Sequence, residues 1–340
     1  MTQRKVRPFM KLTFRYFAML TVCMLLSWCQ EIQSQDAVAT SSKIRIEATT
    51  EPEGWKVFRG DEMIAGYIAS QDGRPVIYPV VGPGGQRMTR DYPFTEKGQF
   101  EKADHVHHKS MWMTHGEVNG IDFWSNEEGC GTIVQTAGEA SVDGDAAVIL
   151  TQNDWLSPDG ERVMSDTRRF AFYDEGGRRL IDCDFLLHAP DASVNFGDTK
   201  EGSFGIRVAG SMKVEADQGG IIINAADETN LDAWGKKSPW VDYSGPIDGK
   251  TVGITIHDHP SSFGYPTRWH VRTYGLFAAN PFGYYDFEGG EKTRGINLPK
   301  GNSIRLNYRV VLHEGGLKAD VAKKDNEDFA SQPRPELSTP

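Results

Sequence analysis

Alternation of apolar with polar or small residues, broken at short intervals by glycine-containing turns, governs this chain from about residue 43 onward. Ile44 and Ile46 alternate with Lys43, Arg45 and Glu47, Phe170 and Phe172 with Arg169 and Ala171, and Ile304, Leu306 and Tyr308 with Arg305, Asn307 and Arg309. A period of two sends successive side chains to opposite faces of an extended backbone, so these segments read as half-buried strands. Between them stand Arg59-Gly60-Asp61, Gln71-Asp72-Gly73, Val142-Asp143-Gly144-Asp145 and Asp248-Gly249, the chemistry of tight hairpin turns. The clearest hairpin runs from Asp166 to Ala189 around Glu175-Gly176-Gly177.

No change of composition marks a linker between 43 and 315, and no segment repeats at a fixed period. The expectation is an all-β protein, with one large antiparallel β-sandwich over residues 40–316. Leu317 to Ala330 reads as a short charged C-terminal helix, and 331–340, with three prolines, as a disordered tail. By analogy of size, the galactose-mutarotase-like supersandwich of sugar mutarotases and several polysaccharide lyases is one such architecture.

Lys and Arg number 37 against 47 Asp and Glu, a formal charge of −10. Five of the cations and only Glu31 fall in the first 35 residues, so the remainder is more acidic still, and nucleic-acid binding is disfavoured. That start joins a basic stretch to the apolar run Phe17 to Trp28 and then a polar region, the three-part pattern of an export signal over residues 1–39. The expected location is periplasmic or extracellular. Lipoprotein anchoring through Cys29 is disfavoured by the bulky Trp28 before it. No later run is apolar enough for a membrane span. Cys130 and Cys183 are expected as free thiols, with a disulfide between them as the alternative.

Seven of nine histidines gather in two regions, His105, His107, His108 and His115, then His257, His259 and His270. On strands, His105 and His107 would share a face, as would His257 and His259, while His108 would point away. Such imidazoles suit proton transfer on a sugar, with Glu201 as base or ligand and Arg207 and Arg272 holding an oxyanion or carboxylate. They equally suit a divalent metal, zinc, copper or iron, held by His105, His107 and His259. Trp112, Trp240 and Tyr243 offer flat faces for a sugar or oligosaccharide to stack on, and Trp240 with Trp234 reads as a loop over a site.

The run Asp104-His105-Val106-His107-His108-Lys109-Ser110-Met111-Trp112, continued by His115-Gly116-Glu117 through Trp124, resembles the signature block of a bacterial family labelled PmoA-like, or "methane oxygenase PmoA". Thr199 to Arg207, Trp240 to Gly245, Asp258-His259-Pro260, Trp269 to Arg272 and Asn280 to Gly283 agree, so the resemblance covers about 55–315. A membrane subunit of particulate methane monooxygenase needs several apolar spans, and this chain has none after its N-terminus. The resemblance therefore implies exported proteins of polysaccharide-degrading bacteria rather than the labelled activity. The leading expectation is an exported carbohydrate-active lyase, hydrolase or epimerase in which His105, His107, Glu201, His259 and His270 do the chemistry. A copper or iron oxidoreductase, as the label suggests, and a non-catalytic carbohydrate-binding protein are the alternatives.

Overall fold

The computed structural model describes Met1, residues 43–292 and residues 295–340. The export pattern, Cys23 and Cys29 lie outside them. All regular elements belong to one compact unit, Ile44–Pro340.

The chain opens with β1 (Ile44–Thr50), β2 (Glu53–Arg59), β3 (Glu62–Ile68), β4 (Val76–Val80) and β5 (Met111–His115). Then come β6 (Thr132–Asp143), β7 (Ala146–Leu156), β8 (Arg162–Asp174), β9 (Arg178–His188), β10 (Val194–Phe196) and β11 (Gly202–Arg207). The remaining strands are β12 (Ile221–Asn224), β13 (Trp240–Ile247), β14 (Lys250–Asp258), β15 (Arg268–Val271), β16 (Leu276–Asn280), β17 (Ile296–Leu298) and β18 (Ser303–Glu314). Two α-helices, α1 (Tyr285–Glu288) and α2 (Ala319–Ser331), flank the last two strands.

Two eight-stranded sheets form, ordered β1-β2-β3-β4-β5-β11-β16-β15 and β12-β13-β14-β18-β9-β8-β7-β6, with β10 and β17 as a separate pair. Every recorded strand pairing between them is antiparallel. The alternation does what its period requires. In the β8–β9 hairpin Phe170 lies opposite Cys183 and Phe172 opposite Ile181, and all four enter one apolar core with Ile304, Leu306 and Tyr308 of β18. The same core takes Met111 and Met113 of β5, Phe204 and Ile206 of β11, and Phe277 and Ala279 of β16. The expected large antiparallel sandwich with a short C-terminal helix is therefore what forms. Cys130 and Cys183 are both free. No helix among the described residues is long and apolar enough to cross a membrane.

The tail departs from expectation. Its prolines exclude a helix, but Arg334 folds back so that its guanidinium reaches Asp184 Oδ1 at 2.7 Å and Asp182 Oδ2 at 3.1 Å on β9. Thr167 on β8 donates to the Ser338 carbonyl at 2.7 Å. The segment read as disordered is thus anchored to the outward face of the second sheet by charge.

Candidate functional site

Where one face of the first sheet enters the core, the other carries a second, smaller apolar cluster of Ile68, Val76, Trp112, Trp124, Leu276 and Ala278, with Tyr78, Phe94 and Tyr274 packed against it. The register explains the selection. Met111 and Met113 point inward, so Trp112 points outward, and it lies opposite Gly205 of β11. A Cβ at Gly205 would come 2.7 Å from the Trp112 ring, so the glycine makes room for the indole. Ile206 inward puts Arg207 outward, and Trp269 and Val271 inward put Arg268 and His270 outward.

Over this face runs the long connection from β4 to β5, of a length that ordinarily carries function. It is not extended through the histidines. His105 sits at φ 43° and Ser110 at φ 56°, left-handed conformations that cost non-glycine residues energy and concentrate at functional sites. The His108 amide donates to the His105 carbonyl at 2.9 Å, closing a turn. Strand parity therefore fails here, and three rings gather instead of two. His105 stacks on His108 with centroids 4.9 Å apart, His107 meets His108 edge-on at 4.5 Å, and His108 stacks on Trp112 at 5.3 Å.

Asp104, which the sequence reading left without a role, organises the cluster's charge. Its Oδ1 lies 3.4 Å from His105 Nδ1, 3.2 Å from Arg90 Nη1 and 3.4 Å from Arg207 Nη2. Burial raises its pKa, but Arg207, His105 and Arg90 outweigh that and hold the carboxyl below its ordinary value. His105 thus has Nδ1 turned to a carboxylate and a side chain 41% exposed. Arg207 Nη1 also donates to His108 Nδ1 at 2.9 Å. A guanidinium cannot accept, so Nδ1 of His108 is bare and its proton sits on Nε2. That Nε2 is buried without a partner. Burial, then His107 and Arg207, push the His108 pKa well below the ordinary histidine value. His107 falls to about 4 through burial and the nearby His105.

Across the same face lie His270, Arg272, Glu201, Trp234 and Tyr274. His270 Nδ1 donates to the Lys200 carbonyl at 2.8 Å, and burial takes its pKa down to about 3. Its ring meets Trp234 edge-on at 6.5 Å. Tyr274 bridges the two halves. It stacks on His105 at 5.1 Å, the Arg207 guanidinium lies 4.8 Å above its ring and that of Arg272 5.7 Å. Burial raises the Tyr274 pKa to about 12, with Glu201 contributing in the same direction. Glu201 is 38% exposed and pairs with Lys200 Nζ at 3.4 Å.

Of the residues expected to act together, His105, His107, Arg207, Arg272, Trp112, Glu201 and His270 surround this face. Three do not. His259 Nδ1 accepts from the Ser261 amide at 3.1 Å, its Nε2 donates to the Gln332 carbonyl at 3.0 Å, and its ring meets Phe329 of α2. It secures the C-terminal helix, because it follows β14 of the second sheet. Trp240 stands on β13, whose neighbours Val241 and Tyr243 face the core, so its indole points away from the first sheet. Tyr243 is fully buried and supports the site from behind, its hydroxyl 3.2 Å from the Arg272 carbonyl and 3.1 Å from that of Thr273. The metal trio His105, His107 and His259 is accordingly split. Among the described residues no group of three or more His, Cys, Asp or Glu side chains is placed to hold a metal ion. Sequence reasoning missed Asp104, His108 and Tyr274; adjacency of Asp104 to His105 was the available signal.

Comparison with solved structures finds a glycoside hydrolase family 97 enzyme from Pseudoalteromonas sp. strain K8, 9% identical at a TM-score of 0.32, covering 80% of this chain and 34% of that one. A family 36 α-galactosidase from Geobacillus stearothermophilus in complex with raffinose is 11% identical at 0.38, covering 74% and 39%. A galactose mutarotase related enzyme from Lactobacillus acidophilus is 12% identical at 0.27, covering 81% and 98%. The chain spans little more than a third of the length of these hydrolases, and likeness at this level carries no argument about activity. No curated protein matches. The PmoA-like assignment drawn from the histidine block is overturned by the family model that does match, over residues 55–326. By that match the chain belongs to the family described as "Family of unknown function (DUF6807)".

Proposed function

We propose that this protein is an exported carbohydrate-active enzyme that works on the outward face of its first sheet, moving a proton through His105. The observation that carries the reading is the Asp104–His105 pair, 3.4 Å apart, on a side chain that is 41% exposed. A carboxylate at Nδ1 fixes the tautomer that leaves Nε2 as a base, and it stabilises the imidazolium once the proton is taken. The neighbouring His108, neutral and buried, backs the His105 ring rather than reaching the substrate itself. Tyr274 and Trp234 present the aromatic surface on which a pyranose ring stacks. The sequence pattern of residues 1–39 supports export.

The test is turnover against a library of oligosaccharides by the wild type, His105→Gln and Asp104→Asn. His105→Gln should lower turnover by about 100- to 10,000-fold, the usual worth of a positioned acid or base. Because the ring is half exposed, its melting temperature should stay within a degree or two of wild type. Asp104→Asn should shift the pH profile as well as the rate. Unchanged turnover in His105→Gln would remove the residue from the chemistry, and the reading with it.

A further inference from the structure

Two arginines stand four residues apart along the outward edge of the site, and their surroundings differ. Arg268 Nε donates to Glu288 Oε1 of α1 at 2.8 Å, and its guanidinium covers the Tyr284 ring at 4.2 Å. Arg272 has no carboxylate and no hydrogen-bond acceptor among the described residues, and its Nε is buried without a partner. Its guanidinium lies 5.7 Å from the ring centroids of both Trp234 and Tyr274. A buried Nε left unpaired is costly, and because the residue as a whole is only half-buried the rest of the guanidinium fork stays within reach of a ligand.

The backbone holds this cation in place. The Arg272 amide donates to the Leu276 carbonyl at 2.7 Å and the Gly275 amide to the Arg272 carbonyl at 2.9 Å. Gly275 takes φ 101°, which a side chain would resist. Tyr243 braces the same turn from the core. The carboxylates nearby are already engaged. Asp104 serves Arg90, Arg207 and His105, and Glu201 pairs with Lys200. His270 and His108 are neutral hydrogen-bonding groups, so neither supplies nor cancels charge. In a chain of net charge −10, this face therefore carries an uncompensated positive charge beside a proton-transfer group and aromatic planes.

We infer that the substrate is an acidic sugar, a uronate-containing oligosaccharide whose carboxylate pairs with the Arg272 guanidinium while its ring stacks against Trp234 or Tyr274. This rests on the carbohydrate reading above and narrows it. The planar fork of a guanidinium matches a carboxylate with two parallel charge-assisted hydrogen bonds, which a neutral hydroxymethyl does not reproduce.

The experiment titrates the full-length protein calorimetrically with galacturonate and glucuronate oligomers, with the same oligomers reduced at the carboxyl to the neutral sugar, and with a sulfated galactan. Expected is binding of one uronate series, on the order of 100-fold weaker binding of its reduced counterpart, and a comparable loss in Arg272→Gln. Arg272→Lys should recover part of it, since charge returns without the fork. Thermal stabilisation of the wild type by uronate but not by its reduced form reads the same contrast should Arg272→Gln not fold. Equal binding of acidic and reduced oligomers overturns the acidic-sugar inference and leaves the carbohydrate reading standing. Binding of the sulfated galactan as tight as that of uronate overturns the carboxylate assignment. Absence of binding to every oligomer, together with unchanged turnover in His105→Gln, removes both.

Discussion

Asp258 shows how much a single burial decides. It ends β14 with Oδ2 accepting from the Thr267 amide at 2.8 Å and Oδ1 buried without a partner. Burial raises its pKa to about 7, against the hydrogen bonds from Ser262, Thr267 and His259 that lower it. The folded state therefore binds this proton more tightly than the unfolded chain. The stability so gained is whole below the ordinary carboxyl range near 4 and is lost as pH rises through 7. The buried histidines act with the opposite sign. His107, His257 and His270 have depressed values, so their contribution is present above about 6.5 and falls away in acid. Comparison with Asp258→Asn isolates the carboxyl. The variant should gain on wild type between pH 4 and pH 8 by up to about 4 kcal/mol in denaturant unfolding, and a pH-independent difference would refute the assignment. At this scale the sequence was a partial guide. It marked the histidine-rich stretches as special, yet assigning faces by strand parity separated His108 from His105, because the left-handed turn at His105 is not written in any periodicity.

Elements show the complementary limit. The hairpins, the inward rows and the C-terminal helix were legible because apolar period and turn chemistry are local properties. What α2 and the following tail cover was not, since it depends on charges brought together from separate strands. Asp182 and Asp184 on β9 face outward from the second sheet and are nonetheless buried. Arg309 Nε meets Asp182 Oδ1 at 2.6 Å, Arg169 Nη1 meets Asp184 Oδ2 at 3.1 Å, and Arg334 spans both. Burial raises the Asp184 pKa while Arg334 opposes it. Arg334 also lies 4.8 Å over the Phe329 ring of α2, so one side chain ties tail, helix and sheet together. Removing Arg334 leaves each buried carboxylate with a single arginine, Arg309 on Asp182 and Arg169 on Asp184, and with fewer charge-assisted hydrogen bonds. Arg334→Ala should cost about 1.5–3 kcal/mol of unfolding free energy, the worth of a hydrogen bond to a charged group, with faster proteolysis at the C-terminal end. Replacement of Arg334 with less than 1 kcal/mol of loss would mean that water, rather than the guanidinium, satisfies the two carboxylates.

Across the whole molecule, the two sheets share one core and divide the remaining work between their outward faces. The first sheet's face bears the histidine cluster, Arg207 and Arg272. The second sheet's face is closed by α2 and the tail through His259, Arg309 and Arg334. Alternation announces that a sandwich will form, but both sheets alternate alike, so it cannot say which outward face stays available to a ligand. That is why His105 and His259, similar in sequence context, end over the outward faces of different sheets. The division has an energetic consequence. Sites without shared contacts contribute additively, usually to within about 0.5 kcal/mol, so Arg334→Ala should lower stability while leaving kcat/KM near wild type below the melting transition. His105→Gln should do the reverse, and the double variant should show both losses unchanged. Turnover and denaturant unfolding on the four proteins measure this directly. A coupling well above 0.5 kcal/mol in either quantity would mean that the C-terminal closure communicates through the core with the site, and that the outward faces are not independent.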